Sequence, residues 1–331
     1  MSVHTRAALR VLVTGASGML GRRTAEQLVA AGHQVRTFQR RPAGIAEAED
    51  ILGSLTDTVA LERAVDEADA VVHLAAKVSV SGPRSEYEEI NIGGTRRLLT
   101  AAQQAGVRRF VHVSTPSVAH TGTGLVGVGA GPAQPDLARG HYARTKAAAE
   151  HLALDADHPD FAVVAIRPHL VWGPGDTQLI ARIVARARAG RLPLLDQGAA
   201  LIDSVYVDNA ADALVAALHR AEQAHGQALV VTNGEPRPVG DLLAGICQAA
   251  GAPPPAWRVP AGLARLAGAV VEAIWAVAPG QDEPPMTRFL AEQLATAHWF
   301  DQRHTRQVLG WRPAVSLDEG LARLGAHYRG T

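Results

Sequence analysis

Short apolar runs alternate with amphipathic stretches through the first half of the chain, and this alternation predicts strands and helices in turn. Five runs are rich in valine and bounded by glycine, serine or proline, as strands commonly are. They cover residues 10–14, 34–38, 70–74, 109–114 and 161–167. Apolar residues recur at helical spacing between them, over residues 19–31, 58–67, 86–105 and 142–155. Such apolar strands are typical of a parallel sheet with helices on both faces, so the pattern predicts a doubly wound α/β domain.

The second half is less regular and predicts a smaller, mixed domain. One short strand is predicted over residues 203–207, and helices over residues 179–189, 209–223, 239–250, 261–277 and 316–328. Ser316 and Glu319 have the spacing of a capping box at the start of the last helix. The segment 121–140 is rich in glycine and lacks periodicity, so we expect a mobile loop that closes over a ligand. We place the first domain at residues 1–170 and 204–232, and the substrate domain at residues 171–203 and 233–331.

Composition and charge exclude several classes of function. The 331 residues carry 32 basic and 32 acidic side chains, so no net charge favours nucleic acid or an anionic membrane as a partner. The single cysteine, Cys247, cannot form a disulfide within the chain, which favours a reducing compartment. No apolar stretch has the ~20 residues that cross a bilayer. No histidine or cysteine spacing indicates a zinc site. We expect a cytoplasmic protein with no transmembrane segment and no metal.

A glycine-rich turn follows the first predicted strand, where residues 14–21 read TGASGMLG and lead into a helix. Glycines in this setting allow the backbone to approach a pyrophosphate, and the helix N-terminus offers N–H groups to the phosphates. The sequence therefore predicts a Rossmann domain that binds a dinucleotide. The predicted contacts in this turn are Gly15, Ser17, Gly18, Met19 and Leu20.

The end of the second predicted strand indicates which dinucleotide is bound. NAD sites commonly place an acid there for the ribose 2′-hydroxyl, whereas NADP sites place a basic residue for the 2′-phosphate. Gln39 stands at the acid's position, and Arg40 and Arg41 follow it. The sequence thus predicts NADP(H) as the cofactor, bound by both arginines. The alternative is that the two arginines are solvated loop residues.

Lysine is rare in this chain, and one of its only two lysines lies four residues after a tyrosine. Tyr142 and Lys146 fall on one face at the start of a predicted helix. An ammonium group there stabilises a phenolate and lowers the pKa of the tyrosine, so that the phenol exchanges protons closer to neutral pH. Ser114 and Thr115 end a predicted strand, at the edge of the sheet where ligands bind in this fold class.

These motifs together resemble the extended short-chain dehydrogenase/reductase superfamily. The resemblance rests on the TGxxGxxG turn, the NIGGT segment, the ST strand end, the YxxxK pair and the RP…GPGD segment at residues 167–176. Within the superfamily, the chain resembles the 3β-hydroxysteroid dehydrogenase/isomerase-like branch, and most closely the NADPH-dependent 2-alkyl-3-oxoalkanoate reductases of bacterial olefin biosynthesis. This narrower resemblance rests on the segments STPSVAH, HLAAK, GPGDTQLI, DSVYVDNAA, NGEPRPV and MTRFLAEQLATAHWF.

The resemblance implies a role for several residues and for the protein as a whole. Tyr142 corresponds to the general acid, and Lys146 to its partner, which also binds the cofactor ribose. Thr115 corresponds to the hydroxyl that binds the substrate carbonyl, with Ser114 beside it, and Asn91 to the asparagine that supports the proton relay. Further implied cofactor contacts are Leu55, Leu74, Ala75, Ala76 and Pro168, and further implied substrate contacts are His120 and Trp172.

The implied reaction is the reduction of a 2-alkyl-3-oxoalkanoic acid to the 3-hydroxy acid, in a homodimer with olefin-pathway enzymes as partners. One position departs from the family, because Ser54 stands where the family often has an acid near the adenine. That departure puts one side-chain contact with the adenine in doubt.

Lys77 follows the predicted strand at residues 70–74, and we hypothesise that its ammonium binds the carboxylate of the substrate. The alternative is a solvent-facing loop lysine.

Other functions also stay open at this point. A 3β-hydroxysteroid or other alcohol dehydrogenase would work oxidatively, and a non-catalytic NADP sensor would need only the glycine turn. A nucleotide-sugar dehydratase fits less well, because residues 114–117 read STPS and lack the acids that elimination needs.

Overall fold

Seven parallel strands form the central sheet of this computed structural model, which describes residues 7–78, 82–255, 257–260, 262–263 and 295–330. In chain order they are β1 (Arg10–Thr14), β2 (Gln34–Gln39), β3 (Ala48–Leu52), β4 (Ala70–His73), β5 (Arg109–Val113), β7 (Ala162–Pro168) and β12 (Gln227–Val231). Their spatial order is β3-β2-β1-β4-β5-β7-β12, and every neighbouring pair is parallel. The predicted doubly wound α/β fold is confirmed.

Eleven helices in the described residues surround and extend this sheet. They are α1 (Met19–Ala30), α2 (Thr58–Val65), α3 (Arg84–Tyr87), α4 (Gly94–Gln104), α5 (Gly140–Asp155), α6 (Leu179–Arg188), α7 (Val207–His219), α8 (Ala221–Ala224), α9 (Val239–Ala249), α10 (Arg303–Leu309) and α11 (Leu317–Gly330). A π-helical turn, Glu88–Gly93, joins α3 to α4. A side chain at Gly94 would collide with Leu55, which explains one glycine inside the predicted helix.

Alternation along the strands explains why helices pack on both faces of the sheet. Val11 and Val13 of β1 face one hydrophobic cluster, which includes α1 and α7. Leu12, between them, faces a second cluster, which includes α2 and α4. Because successive residues of a strand point to opposite faces, a strand that is apolar throughout needs a cover on each side.

A smaller mixed sheet and a third hydrophobic cluster make up much of the second half. The sheet has the order β13 (Arg237–Pro238), β10 (Leu201–Ile202), β15 (His298–Phe300) and β6 (Leu125–Val128), with one antiparallel pair. Two short pairs add β8 (Val171–Trp172) with β11 (Val205–Tyr206), and β9 (Pro193–Leu195) with β14 (Trp257–Val259). The third cluster contains residues of α6, α9 and α11. The exact boundaries between the domains stay a prediction.

Several predicted elements differ from the observed ones. The predicted strand at residues 203–207 contains only the two residues of β11, and the predicted helix at residues 209–223 begins at Val207 and is divided into α7 and α8. β3 was not predicted. At the start of α11, the Ser316 hydroxyl accepts a hydrogen bond from the Glu319 N–H, but the Glu319 carboxylate binds Arg323 rather than completing the capping box. The predicted helix at residues 261–277 lies outside the described residues, except for residues 262–263.

The segment at residues 121–140 is not a loop throughout, because β6 lies inside it and pairs with β15. Two arginines bind the remainder: Arg167 donates to the carbonyls of Ala130 and Gly131, and Arg144 donates to Ala138 at 2.9 Å. The strand pairing and the contacts of Arg167 join residues that are distant in sequence, so local composition could not indicate them. That the segment is mobile and closes over a ligand stays a prediction.

Two buried asparagines hold the C-terminal segment against the first domain. Asn209 of α7 and Asn233, which follows β12, are hydrogen-bonded to each other at 2.9 Å, and both donate to the carbonyl of Val315. The Asn209 oxygen also accepts from the N–H groups of Ala314 and Val315. The DNAA and NGEP motifs therefore have a structural role here.

The buried ion pair of Arg167 and Glu150 offers a test of this packing. Both side chains are 1% exposed, and Arg167 Nε lies 2.8 Å from Glu150 Oε2. Arg167→Met leaves a buried carboxylate without its partner, so we expect the free energy of unfolding in urea to fall by roughly 3–5 kcal/mol. Arg84→Met, which removes the exposed ion pair with Glu88, should cost less than ~1 kcal/mol. Equal losses in the two variants would contradict this account.

Candidate active site

The glycine turn after β1 has the shape that a pyrophosphate requires. Gly15 has a φ of +78°, and a Cβ there would lie 2.9 Å from the Ala75 backbone nitrogen. A Cβ at Gly21 would collide with the Gly15 carbonyl, so the helix can pack this closely only with glycine. α1 begins directly after Gly18, without a side-chain cap and without an acid in its first turn. Its first N–H groups therefore remain available to an anion, which fits a dinucleotide phosphate.

The other predicted residues of the turn lie beside it. Ser17 and Gly18 are exposed, and Met19 and Leu20 are half-buried and pack against the third hydrophobic cluster. The start of α1 thus contacts both halves of the molecule.

The segment after β4 lies against the same turn. The Thr14 hydroxyl accepts hydrogen bonds from the N–H groups of Leu74 and Ala75, at 3.2 and 3.1 Å. Ala76 continues this half-buried segment, and Pro168 ends β7 two strands away. Leu55 is buried against Gly94, so its contact with a cofactor stays a prediction.

Asp50 fixes the loop that follows β2 and carries the two arginines. This carboxylate, on β3, accepts hydrogen bonds from Gln39 at 2.7 Å and from the N–H groups of Ala43 and Gly44 at 3.1 and 3.2 Å. Burial raises the pKa of Asp50, but these bonds and one from Thr37 outweigh it and lower the pKa overall. The sequence analysis missed Asp50, because the edge strand β3 has no apolar run.

Arg40 and Arg41 are exposed in this loop, and among the described residues neither forms an ion pair. Two free guanidinium groups at the carboxyl end of β2 fit an anionic ligand.

Tyr142 lies in the first turn of α5, and its phenol interacts with the hydroxyl of Thr115, which follows β5. Burial raises the pKa of Tyr142 to about 12, and the interaction with Thr115 opposes that rise. Ser114 is buried beside Thr115, and its hydroxyl has no hydrogen-bond partner among the described residues. An unpartnered buried hydroxyl is costly, so its presence here fits a site that completes it with a ligand.

Lys146 lies one turn further along α5, and its ammonium is buried. Nζ donates to the carbonyl of Val113 at 2.7 Å and lies 3.5 Å from Nε2 of His112. Burial lowers the pKa of Lys146 to about 8, while the charge of Glu150 raises it. We expected this ammonium to lower the pKa of Tyr142. The net shift is in the other direction, because burial raises the pKa of the phenol. The effect of the Lys146 ammonium on the phenolate stays a prediction.

Asn91 connects helix α5 with the segment after β4. Its side chain lies in the π-helical turn, accepts from the Lys77 N–H at 2.7 Å and donates to the Lys77 carbonyl at 3.2 Å. It also donates to the Thr145 hydroxyl at 3.0 Å. Asn91 therefore holds two elements of the site in place.

The structure separates the three predicted substrate contacts. Trp172 is fully buried, donates to the Ser204 hydroxyl at 3.0 Å and packs against Tyr206. His120 is also buried, edge-to-face with His298. The roles of Trp172 and His120 as substrate contacts stay predictions. Lys77 is partly exposed and pairs with Glu86 at 2.6 Å.

The described residues contain no cluster of histidine, cysteine or acidic side chains that could hold a metal ion. No helix within them has the length and apolar character to cross a membrane.

Comparisons with known proteins agree with this geometry. The profile of the NAD dependent epimerase/dehydratase family matches residues 11–232. A 2-alkyl-3-oxoalkanoate reductase of Stenotrophomonas maltophilia is 40% identical, over 96% of this chain and 99% of its own length. One of Shewanella oneidensis is 36% identical, over 95% of this chain and 85% of its own length. A 3 beta-hydroxysteroid dehydrogenase/Delta 5-->4-isomerase of Mycobacterium tuberculosis is 29% identical, over 96% and 90%.

Solved structures show the same architecture. MoeE5 in complex with UDP-glucose and NAD superposes with a TM-score of 0.74 and is 26% identical, over 97% of this chain and 99% of that one. A dTDP-glucose 4,6-dehydratase double mutant from Streptomyces venezuelae, with NAD bound, has the same fold at a TM-score of 0.74 and 24% identity, over 97% of each chain. The glycine turn and these relatives indicate a nicotinamide nucleotide as the cofactor. The chain therefore belongs to the NAD-dependent epimerase/dehydratase family, the extended short-chain dehydrogenases/reductases, and is an NAD(P)-dependent oxidoreductase.

Proposed function

We propose that this enzyme reduces the ketone of a 2-alkyl-3-oxoalkanoic acid to the 3-hydroxy acid, with NADPH as the cofactor. The observation that carries the proposal is that α5 places Tyr142 beside Thr115 and Lys146 one helical turn further on. Two relatives that share this whole architecture are named for that activity, at 40% and 36% identity.

The side chains divide the chemistry between them. A nicotinamide nucleotide held at the glycine turn would supply the hydride to the ketone carbon. Tyr142 gives its proton to the ketone oxygen, and Thr115 binds that oxygen and orients it. The Lys146 ammonium stabilises the phenolate that remains, because a pKa of about 8 keeps it charged at neutral pH.

Reduction is proposed over the oxidative alternative on the two relatives named for ketone reduction, at 40% and 36% identity, against 29% for the dehydrogenase/isomerase of Mycobacterium tuberculosis. Tyr142 is protonated at neutral pH, which is the state that a proton donor needs. The same tyrosine would accept the proton in the reverse direction.

NADPH is proposed on the chemistry of the loop after β2. A neutral Gln39 stands at the end of the strand, and Arg40 and Arg41 are exposed beside it. Guanidinium groups bind phosphate through charge-assisted hydrogen bonds, which a 2′-hydroxyl cannot match.

The resemblance also supports two statements about assembly. Helices that begin near Glu86 and Tyr142 form dimers in similar proteins, so the proposal includes a homodimer. A hydroxy acid product is consumed by later enzymes of olefin biosynthesis, and these are the proposed partners.

Tyr142→Phe tests the central assignment. Loss of the hydroxyl removes the proton donor, so kcat for ketone reduction should fall by roughly 10²–10⁴-fold. The Kd for NADPH, measured by fluorescence titration, should stay within a factor of about three, because the phenyl ring keeps its packing. Retained turnover would contradict the role of Tyr142. A wild-type protein that binds NADPH without reducing any keto acid would instead favour the sensor.

Arg40→Ala tests the cofactor assignment. Loss of a charge-assisted hydrogen bond of about 1.5–3 kcal/mol should weaken NADPH binding by roughly 10- to 100-fold and leave NADH binding unchanged. Arg191→Ala, at an exposed arginine after α6, serves as the matched control. Equal effects on the two nucleotides would overturn the proposed preference for NADPH.

Lys77→Met tests the hypothesis that this lysine binds the substrate carboxylate. The Lys77 ammonium now pairs with Glu86, which is half exposed, so a substrate carboxylate must displace that side chain. We expect KM for the keto acid to rise roughly tenfold, with KM for a ketone lacking the carboxylate unchanged. Glu86→Gln, which removes the competitor, should lower KM for the acid. An unchanged KM in Lys77→Met would show that Lys77 is a loop residue.

A further inference from the structure

A buried histidine lies directly beside the catalytic lysine, and the proposed mechanism has not used it. His112 is the fourth residue of β5, which runs between β4 and β7 in the centre of the sheet. Its ring is fully buried, and Nε2 lies 3.5 Å from Lys146 Nζ. Among the described residues, this ammonium has one other acceptor, the Val113 carbonyl on the next residue of the same strand, at 2.7 Å. β5 therefore supplies both contacts.

The hydrogen bond fixes the tautomer of His112. An ammonium group only donates hydrogen bonds, so Nε2 must offer its lone pair to Lys146, and the ring proton must lie on Nδ1. Nδ1 of His112 is buried and has no hydrogen-bond partner among the described residues. A buried N–H without a partner destabilises the fold, so packing alone does not explain this tautomer. The contact between Nε2 and Lys146 explains it.

The charged and titratable groups around Lys146 leave its ammonium with little other support. His73 of β4 packs against His112 with ring centroids 5.6 Å apart, and burial lowers its pKa to about 3, so it is neutral. Burial, the charge of Lys146 and the neighbouring His73 together lower the pKa of His112 well below its usual value, so its ring is neutral as well. Glu150, on the same helix as Lys146, is paired with Arg167 of β7. Tyr142, one turn before Lys146, is protonated.

We propose that His112 is a positioning residue for Lys146: with the Val113 carbonyl it holds the ammonium beside Tyr142, and it sets the pH at which that ammonium loses its proton. The inference deepens the proposed ketoreductase mechanism and uses that activity for one of its two readouts. Because a hydrogen bond to the charged form favours that form, removing the acceptor lowers the pKa of the lysine.

The kinetic test compares two substitutions of different chemistry. In His112→Leu the acceptor is lost, and the alkaline limb of kcat for ketone reduction should move to lower pH by about 0.5–1 unit. In His112→Gln the side-chain oxygen can accept the same hydrogen bond, so the limb should return to its wild-type position. His151→Leu removes a histidine of α5 that binds Ala133 instead, and it should leave the limb unchanged. His112→Val replaces the leucine variant if the latter does not fold.

A second readout is independent of activity. The pKa of Lys146 is about 8 in the folded chain and 10.5 when unperturbed, so between these values the unfolded chain binds more protons. The free energy of unfolding therefore rises with pH across that window. In His112→Leu the rise should begin at lower pH, and in His112→Gln at the wild-type pH.

The outcomes separate the inference from the proposed function. If both substitutions lower the stability and neither the kcat profile nor the unfolding profile moves along the pH axis, His112 has only a structural role. That result would overturn the inference. A wild-type enzyme inactive on every keto acid, whose unfolding profile still shifts in His112→Leu, would refute the proposed function and support the role of His112.

Discussion

The ammonium of Lys146 is removed from water and held 2.7 Å from the carbonyl that ends β5, and the rest of the site is arranged around this buried charge. Burial lowers its pKa to about 8, which leaves it charged at neutral pH with a small margin. The charge of Glu150 opposes this effect of burial and helps to keep the ammonium protonated. Glu150, one turn further along, is itself paired with Arg167. The ion pair between Glu150 and Arg167 also joins α5 to β7. It therefore affects both the charge near Lys146 and the packing of the helix on the sheet.

Much of the fold follows from local sequence patterns, and the exceptions share a physical cause. Runs such as RVLVT and RFVHV predict buried parallel strands because both of their faces are apolar. β3 reads AEDIL and lies at the edge of the sheet, where its residues are exposed or only partly buried. It therefore lacks the apolar run by which the other strands were predicted. Within residues 121–140, β6 pairs with β15 and the carbonyl of Gly131 accepts a hydrogen bond from Arg167, and both contacts bridge distant parts of the chain. Composition reports local preference and carries no information about such bridges.

In the candidate site too, some features could be predicted from local sequence and others could not. Backbone requirements were predictable, because a φ of +78° at Gly15 is a demand that only glycine meets easily. That Tyr142 and Lys146 lie one turn apart on α5 was predictable from helical spacing. The sign of the pKa shift on Tyr142 was not, because burial depends on every element packed around the ring. The burial of Trp172 was not predictable either, since a tryptophan beside a glycine-rich motif can face either a ligand or a core.

The π-helical turn at Glu88–Gly93 has a consequence for how this family can change. Such a turn accommodates one residue more than a regular helical turn, and it rotates everything that follows about the helix axis. Asn91 reaches the backbone of Lys77 from within this widened turn. Single substitutions leave the extra residue in place, whereas a one-residue deletion would restore regular winding and turn Asn91 away from its partner. The number of residues in this turn is therefore constrained by the position that Asn91 takes.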